Sequence, residues 1–292
     1  MSTPAGPAVS STSAVARPGR PEGTEQPGRR SGGEHSVPAP LPVLEVDLGP
    51  GVRAGFTTRA GGTSLPPWDT LNLGSAVGDD PVHVRANRAL VVRWAGAPVA
   101  FAAQEHGARV QVVGGRDEPA PGDDGTGTVG PGDAVVTAEA WSAVGVVVAD
   151  CVPVLLADAG AGVVAAVHAG RRGLVAGVVE AAVRALTDAG ARVDRLRAVV
   201  GPAISGAAYE VPAALRAEVA ALEPATWATT SWGTPALDLP AGVVARLARA
   251  GVGHVERLEV CTFTDDRFYS HRRASAAGAT TGRFAAVVTL TG

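Results

Sequence analysis

Residues 143–173 constrain the fold more than any other stretch: A-V-G-V-V-V-A-D-C-V-P-V-L-L-A-D-A-G-A-G-V-V-A-A-V-H-A-G-R-R-G. Three apolar, β-branched runs are separated by short polar breaks, the composition of strands buried on both faces. The polar residues fall where a run stops: Asp150 and Cys151, then Asp158, then His168, Arg171 and Arg172. After the third run, Ala169, Gly170 and Gly173 lead into residues 174–186, where Leu174, Val175, Val178, Val179, Ala182, Val183 and Leu186 keep helical spacing. The pattern predicts a strand, a glycine turn and then one helix. Free backbone N–H groups at that helix start would make a place for phosphate or carboxylate beside His168, Arg171 and Arg172. The alternative is two solvated arginines and a hydrogen-bonded strand-end histidine.

The other segments supply the flanking elements of one domain. Residues 1–40 are rich in Pro, Gly, Ser, Thr and Ala with no Leu, Ile, Phe or Trp to anchor them, so residues 1–42 are predicted to be a disordered tail and 43–292 the folded domain. Strands are predicted at 43–48 and 52–58, a helix after Asp80-Pro81, strands at 98–103 and 109–113, a Gly/Pro/Asp loop at 114–132, and a strand at 133–137. Beyond the central stretch come strands at 197–200, 257–260 and 284–290 and helices at 212–222 and 240–250. In the helix after Asp80-Pro81, Asn87 and Arg88 need no functional role.

Composition narrows the chemistry. A hydrophobic content of 46% suffices for a large core, and a net charge of −3 gives no electrostatic case for nucleic acid. No stretch approaches the apolar length of a membrane span. All 25 basic side chains are arginine, which removes Schiff-base lysines and phosphate-loop lysines. Two cysteines, Cys151 and Cys261, are too few for a disulfide scaffold. A reducing, cytoplasmic setting is the expectation, with no signal peptide indicated.

His106, Cys151 and His168 each stand at the end of a predicted strand beside a turn, and strand ends of one sheet can converge. Two imidazoles and a thiolate form a three-ligand set suited to zinc, with the fourth tetrahedral position left for water or substrate. No C-x-x-C or H-E-x-x-H spacing supports that set. A lone histidine before a glycine, such as His106, also serves structural purposes.

The ordered motifs Q-x-H-G (104–107), D-A-x-V-T (133–137), A-D-C-x-P (149–153) and H-A-G-x-R-G (168–173) resemble the laccase-domain family. The likeness continues through F-T-T-R-x-G-G, N-L-G, G-D-D-P, G-P-x-I, Y-E-V, F-Y-S-H-R-R and T-G-R, from about residue 43 to the end. That family, also called the polyphenol oxidoreductase or peptidoglycan editing factor family, includes zinc-dependent purine nucleoside phosphorylases. The resemblance implies an α+β fold, a single α/β sandwich with mixed β-sheets, and His106, Cys151 and His168 as metal ligands. It implies phosphorolysis of purine nucleosides such as adenosine, inosine and methylthioadenosine, with adenosine deamination as a companion. The chain departs from the family's pattern at Arg171, where tryptophan is usual, and at Glu105, where an apolar residue is common.

Phosphorolysis needs a phosphate aimed at the sugar carbon, and arginines grip phosphate through bidentate contacts. The candidates for substrate and phosphate are Arg59, Asn72, Arg172, Arg272 and Arg283, with Arg171 added in this chain. Asp150 is a candidate proton shuttle or a partner of a ligand histidine. Copper is disfavoured, because six histidines cannot furnish both a blue-copper site and a trinuclear cluster. The expected partners are purine nucleosides and phosphate, acting on a monomer. Two other functions compete: a Cys151–His hydrolase or amidase editing peptidoglycan precursors, and a non-catalytic interaction protein stapled by metal. His271 and His254 are expected to be structural or exposed, and Cys261 a small buried hydrophobe.

Overall fold

The computed structural model describes residues 40–114, 122 and 124–291. The tail expected at 1–42 lies outside these residues up to position 39. Its last residues already belong to the fold, since Leu41 packs on the core and the Pro42 carbonyl accepts from Thr58 N.

In chain order the first strands are β1 (Val43–Val46), β2 (Val52–Thr57), β3 (Val99–Ala103), β4 (Val110–Val113), β5 (Thr126–Pro131), β6 (Ala134–Thr137) and β7 (Ala143–Val148). They are followed by β8 (Val152–Asp158), β9 (Val163–Ala169), β10 (Arg197–Val200), β11 (Trp227–Thr229), β12 (Pro235–Leu237), β13 (His254–Arg257) and β14 (Phe284–Leu290). The helices are α1 (Pro81–Ala95), α2 (Arg171–Ala176), α3 (Val178–Asp188), α4 (Ala213–Leu222), α5 (Leu239–Arg249) and α6 (His271–Ala276). Two mixed sheets result, β1-β2-β14-β7-β3-β5 and β13-β10-β8-β9-β6-β4, with β11 and β12 as a separate hairpin. This is the α+β sandwich with mixed sheets that the resemblance implies. No helix among the described residues is long and apolar enough to cross a membrane.

Period-2 alternation explains why β8 and β9 are apolar throughout. Val152, Val154 and Leu156, with Val163, Ala165 and Val167, pack under α3 and α5, while Leu155, Ala157, Val164 and Ala166 pack against Val144 and Val146 of the other sheet. The same alternation puts His168 on the face of Val164 and Ala166, between the sheets. Its register partner is Pro153, two residues past Cys151.

Several predicted boundaries move, each for a local reason. Residues 174–186 do not form one helix: Gly177, at φ 87°, ends α2 and opens α3 in a conformation that favours glycine. The loop predicted at 114–132 contains β5, which pairs parallel to β3 despite its glycines, while 115–121 and 123 lie outside the described residues. The strand predicted at 257–260 sits earlier, at β13, where it pairs with β10, and Cys261 makes only an isolated bridge to Ala203.

Candidate active site

The site is built where the two sheets exchange chain. Between Val148 of β7 in the first sheet and Val152 of β8 in the second, only Ala149, Asp150 and Cys151 intervene. Asp150 makes that turn at φ 84°, a left-handed conformation that aspartate tolerates better than most residues. His106, just after β3, is also left-handed at φ 62°. The metal candidates therefore do not come from the strand ends of one sheet: His106 follows the first sheet, His168 lies on the second, and Cys151 joins them.

Asp133 ties these pieces together. It directly precedes β6, whose register with β9 sets Ala134 against Val167, so Asp133 falls beside His168. The carboxylate is fully buried and accepts from His168 Nδ1 (2.8 Å) and from the backbone N–H groups of His106 (2.9 Å) and Gly107 (2.6 Å). Burial alone would raise the Asp133 carboxyl, but the His168 ring and these amides outweigh it and hold it below the usual carboxylate range. Because Nδ1 of His168 is engaged there, its Nε2 is the nitrogen left for a ligand.

The donor atoms of His106, Cys151 and His168 lie within 4.8 Å of one another. His106 Nε2 is 3.8 Å from Cys151 Sγ, and the two imidazoles meet edge to face at 4.7 Å between centroids. Zinc bond lengths at tetrahedral angles put donor atoms about 3.4–3.6 Å apart, so little movement closes this set on a metal. The space depends on Gly170: a Cβ there would stand 2.8 Å from His106 Cδ2 and 3.2 Å from Cys151 Sγ. Burial would push the Cys151 thiol up, yet the charge of His168 and the bond from His106 bring it down to about 6. Burial would lower His168, but Cys151 and Asp133 raise it to about 9. The donor set thus favours a thiolate, the form in which cysteine binds metal or attacks as a nucleophile.

Two cavities meet at this cluster and share His106, Ala149, Cys151 and His271. The larger, about 520 Å³, has an apolar wall that includes Phe101, Ala102 and Val148, with Arg88 and Arg283 among its polar groups. The smaller, about 240 Å³, is lined by Arg171, Arg172, Arg272 and Tyr209.

The predicted site residues therefore divide. Arg172 and Arg272 line the smaller cavity and Arg283 the larger. Arg59 lines neither; it pairs with Asp69 at 2.9 Å and lies over the Tyr269 ring. Asn72 is fully buried, and its amide is spent on Gly74, Asp79 and the Arg283 N–H, so it fixes a loop and touches no cavity. Asp150 lines the smaller cavity, but its oxygens accept from the Thr262 hydroxyl (2.6 Å) and the Arg272 N–H (2.6 Å), which anchors the start of α6. The partner of His168 is Asp133, not Asp150.

Sequence reasoning did not single out Asp133, gave Arg88 no role and expected His271 to be structural or exposed; Arg88 and the exposed His271 in fact line the cavities. The signal for Asp133 was an ionisable residue abutting a strand buried along its whole length. His271 lies at the first turn of α6 on the wall common to both cavities. Cys261 is half-buried and accepts hydrogen bonds from Ser205 N and Oγ, so it is more polar than a hydrophobic filler.

A family model described as multi-copper polyphenol oxidoreductase laccase matches residues 53–291. The chain is 52% identical over 245 residues to a Streptomyces coelicolor protein named purine nucleoside phosphorylase, covering 82% of this chain and 96% of that one. A Mycobacterium tuberculosis protein of the same name is 47% identical over 240 residues, covering 81% and 91%. Among solved structures, a Neisseria meningitidis protein superposes with a TM-score of 0.74 at 35% identity, over 86% of this chain and 99% of that one. YlmD from Geobacillus stearothermophilus gives 0.73 at 32% identity, over 83% and 93%. With the fold and the ordered motifs agreeing over nearly all of the folded residues, the chain belongs to the multi-copper polyphenol oxidoreductase laccase family.

Proposed function

We propose that the protein is a zinc-dependent purine nucleoside phosphorylase, moving the sugar of adenosine, inosine or methylthioadenosine from the purine to phosphate, with adenosine deamination as a side activity. The observation that carries this reading is the His106–Cys151–His168 group at the junction of two cavities. None of the arginines lining them forms an ion pair with a described carboxylate. Cationic groups without a carboxylate partner beside a cavity suit an oxyanion substrate. The names of the relatives point the same way.

Zinc held by His106, Cys151 and His168 would supply a Lewis acid. A histidine pair with cysteine also suits copper, but glycosyl transfer moves no electrons, and the chain's only methionine is Met1. Asp133 fixes the tautomer and the orientation of His168. The apolar wall with Phe101 accepts the flat purine, and arginines orient phosphate oxygens for attack on the sugar carbon. Asp150 holds α6 and with it Arg272. The test is inosine turnover with and without phosphate: hypoxanthine release that needs phosphate and yields ribose 1-phosphate supports the assignment. Release of free ribose at the same rate without phosphate contradicts it.

One observation favours a second reading. Asp133, His168 and Cys151 stand in the order of an orienting acid, a base and a lowered-pKa thiol, the arrangement of a cysteine hydrolase or amidase. Iodoacetamide separates the two. A metal-bound thiolate is protected until chelator is added, whereas a nucleophilic Cys151 labels equally fast in either condition.

A further inference from the structure

We infer that the two cavities divide the substrates, the smaller taking phosphate and the larger the nucleoside, with Arg171 and Tyr209 as phosphate-specificity residues. The inference rests on the phosphorylase reading and assigns its two substrates to separate cavities.

Size and lining both separate the cavities. Ligand pockets for whole small molecules run from about 300 to 1,000 Å³. The larger cavity, at about 520 Å³, falls in that range, and the smaller, at about 240 Å³, falls below it. The cations differ as well. Arg88 and Arg283 of the larger cavity are tied down: Arg88 donates to the Leu73 carbonyl and lies over Phe101, and Arg283 donates to the carbonyls of Thr281 and Gly282. In the smaller cavity, Arg272 is held much as Arg88 is, donating to the Glu210 carbonyl through Nη1 with its guanidinium 4.9 Å over Tyr209, whereas Arg172 makes only a long contact, 3.4 Å, to the Glu105 carbonyl. The Asp150 carboxylate on the same wall accepts from the Thr262 hydroxyl and the Arg272 backbone N–H and pairs with no described guanidinium, so it offsets one of the three positive charges.

Tyr209 completes the group. Its ring lies 4.9 Å from the Arg272 guanidinium and its phenol brings an O–H donor to the wall that carries the three arginines. Three cations and a hydroxyl around a small space next to Cys151 match a tetrahedral oxyanion better than an uncharged nucleoside.

The test is calorimetric titration of the purified protein with inorganic phosphate and, separately, with inosine in phosphate-free buffer, for wild type, Arg171→Gln, Arg171→Lys and Tyr209→Phe. Losing one charge-assisted contact should weaken phosphate binding about ten- to a hundredfold in Arg171→Gln. Tyr209→Phe should show a smaller loss, Arg171→Lys should recover most of the affinity, and inosine binding should stay within about twofold. In turnover, the KM for phosphate should rise while that for inosine holds. Unchanged phosphate affinity in Arg171→Gln, or a loss of inosine binding in its place, would overturn the division. If phosphate binds in an Arg171-dependent way but no nucleoside is cleaved, the phosphate site stands and the phosphorylase reading fails.

Discussion

Replacing Asp133 with asparagine keeps the shape of the side chain and removes what the site takes from it. One oxygen accepts from His168 Nδ1 and the His106 N–H, and the other from the Gly107 N–H and, at 3.3 Å, the Glu105 N–H, so no orientation of an amide satisfies them all. Either its NH2 faces Gly107, or it faces both histidines. One charge-assisted bond is lost and a buried donor is set against another, a cost of about 2–4 kcal/mol. In a domain this large that lowers Tm by about 5–15 °C. The histidines lose their common tether, so zinc affinity should fall about ten- to a hundredfold, the usual effect of removing a partner of a ligand histidine. Thermal unfolding of the metal-free protein measures the first effect, and zinc titration against a chromophoric chelator measures the second. A folded Asp133→Asn protein that binds zinc as tightly as wild type would refute the claim that Asp133 organises the site.

Other expectations test separate parts of the account. Gly170 has an ordinary φ of −74°, so Gly170→Ala introduces only a methyl group against His106 and Cys151; metal affinity should drop at least about tenfold while Tm falls by a few degrees. In metal-stripped protein, alkylation of Cys151 followed by mass spectrometry should rise through a midpoint near pH 6, because the thiol is protonated and slow below it and a thiolate above it. His168→Ala should move that midpoint up toward the ordinary thiol value of about 8.5. Far from the site, Glu223 is fully buried against Arg246 and the half-exposed Arg249, and Glu223→Gln should cost about 2–3 kcal/mol in urea unfolding and leave turnover unchanged. Those arginines hold the Glu223 carboxyl below its ordinary range against the opposing effect of burial. Its contribution is therefore complete above the unfolded-state pKa and disappears as pH falls through the folded value, so the gap between wild type and variant should close on acidification.

The strands that carry the site were legible because burial on both faces leaves a plain signature, continuous β-branched runs at 143–148, 152–158 and 163–169. The break at Gly177 was not, since Leu174 and Val178 keep helical spacing on both sides of it and only the backbone turn reveals two helices. β5 escaped detection because its T-G-T-V-G-P sequence reads as turn and is held by pairing to β3. His106, Cys151 and His168 could be picked out as strand-end residues, but local pattern does not show that two of them belong to opposite sheets. Asp133 and His271 stayed hidden for the same reason, because their roles arise from register and from where α6 docks. Arg59 and Asn72 illustrate the converse: polar residues in glycine-rich turns look like ligands for substrate, and here they hold the loops in place.

The most direct test of the central claim pairs metal content with turnover in a single preparation. Wild type and Cys151→Ala would be assayed for zinc and for phosphate-dependent hypoxanthine release from inosine, before stripping, after stripping and after zinc is restored. Wild type should carry about one zinc per chain, as a single three-ligand site requires, with release that vanishes on stripping and returns with zinc, and Cys151→Ala should show neither metal nor release. Full activity in stripped protein, or in Cys151→Ala, would contradict the claim.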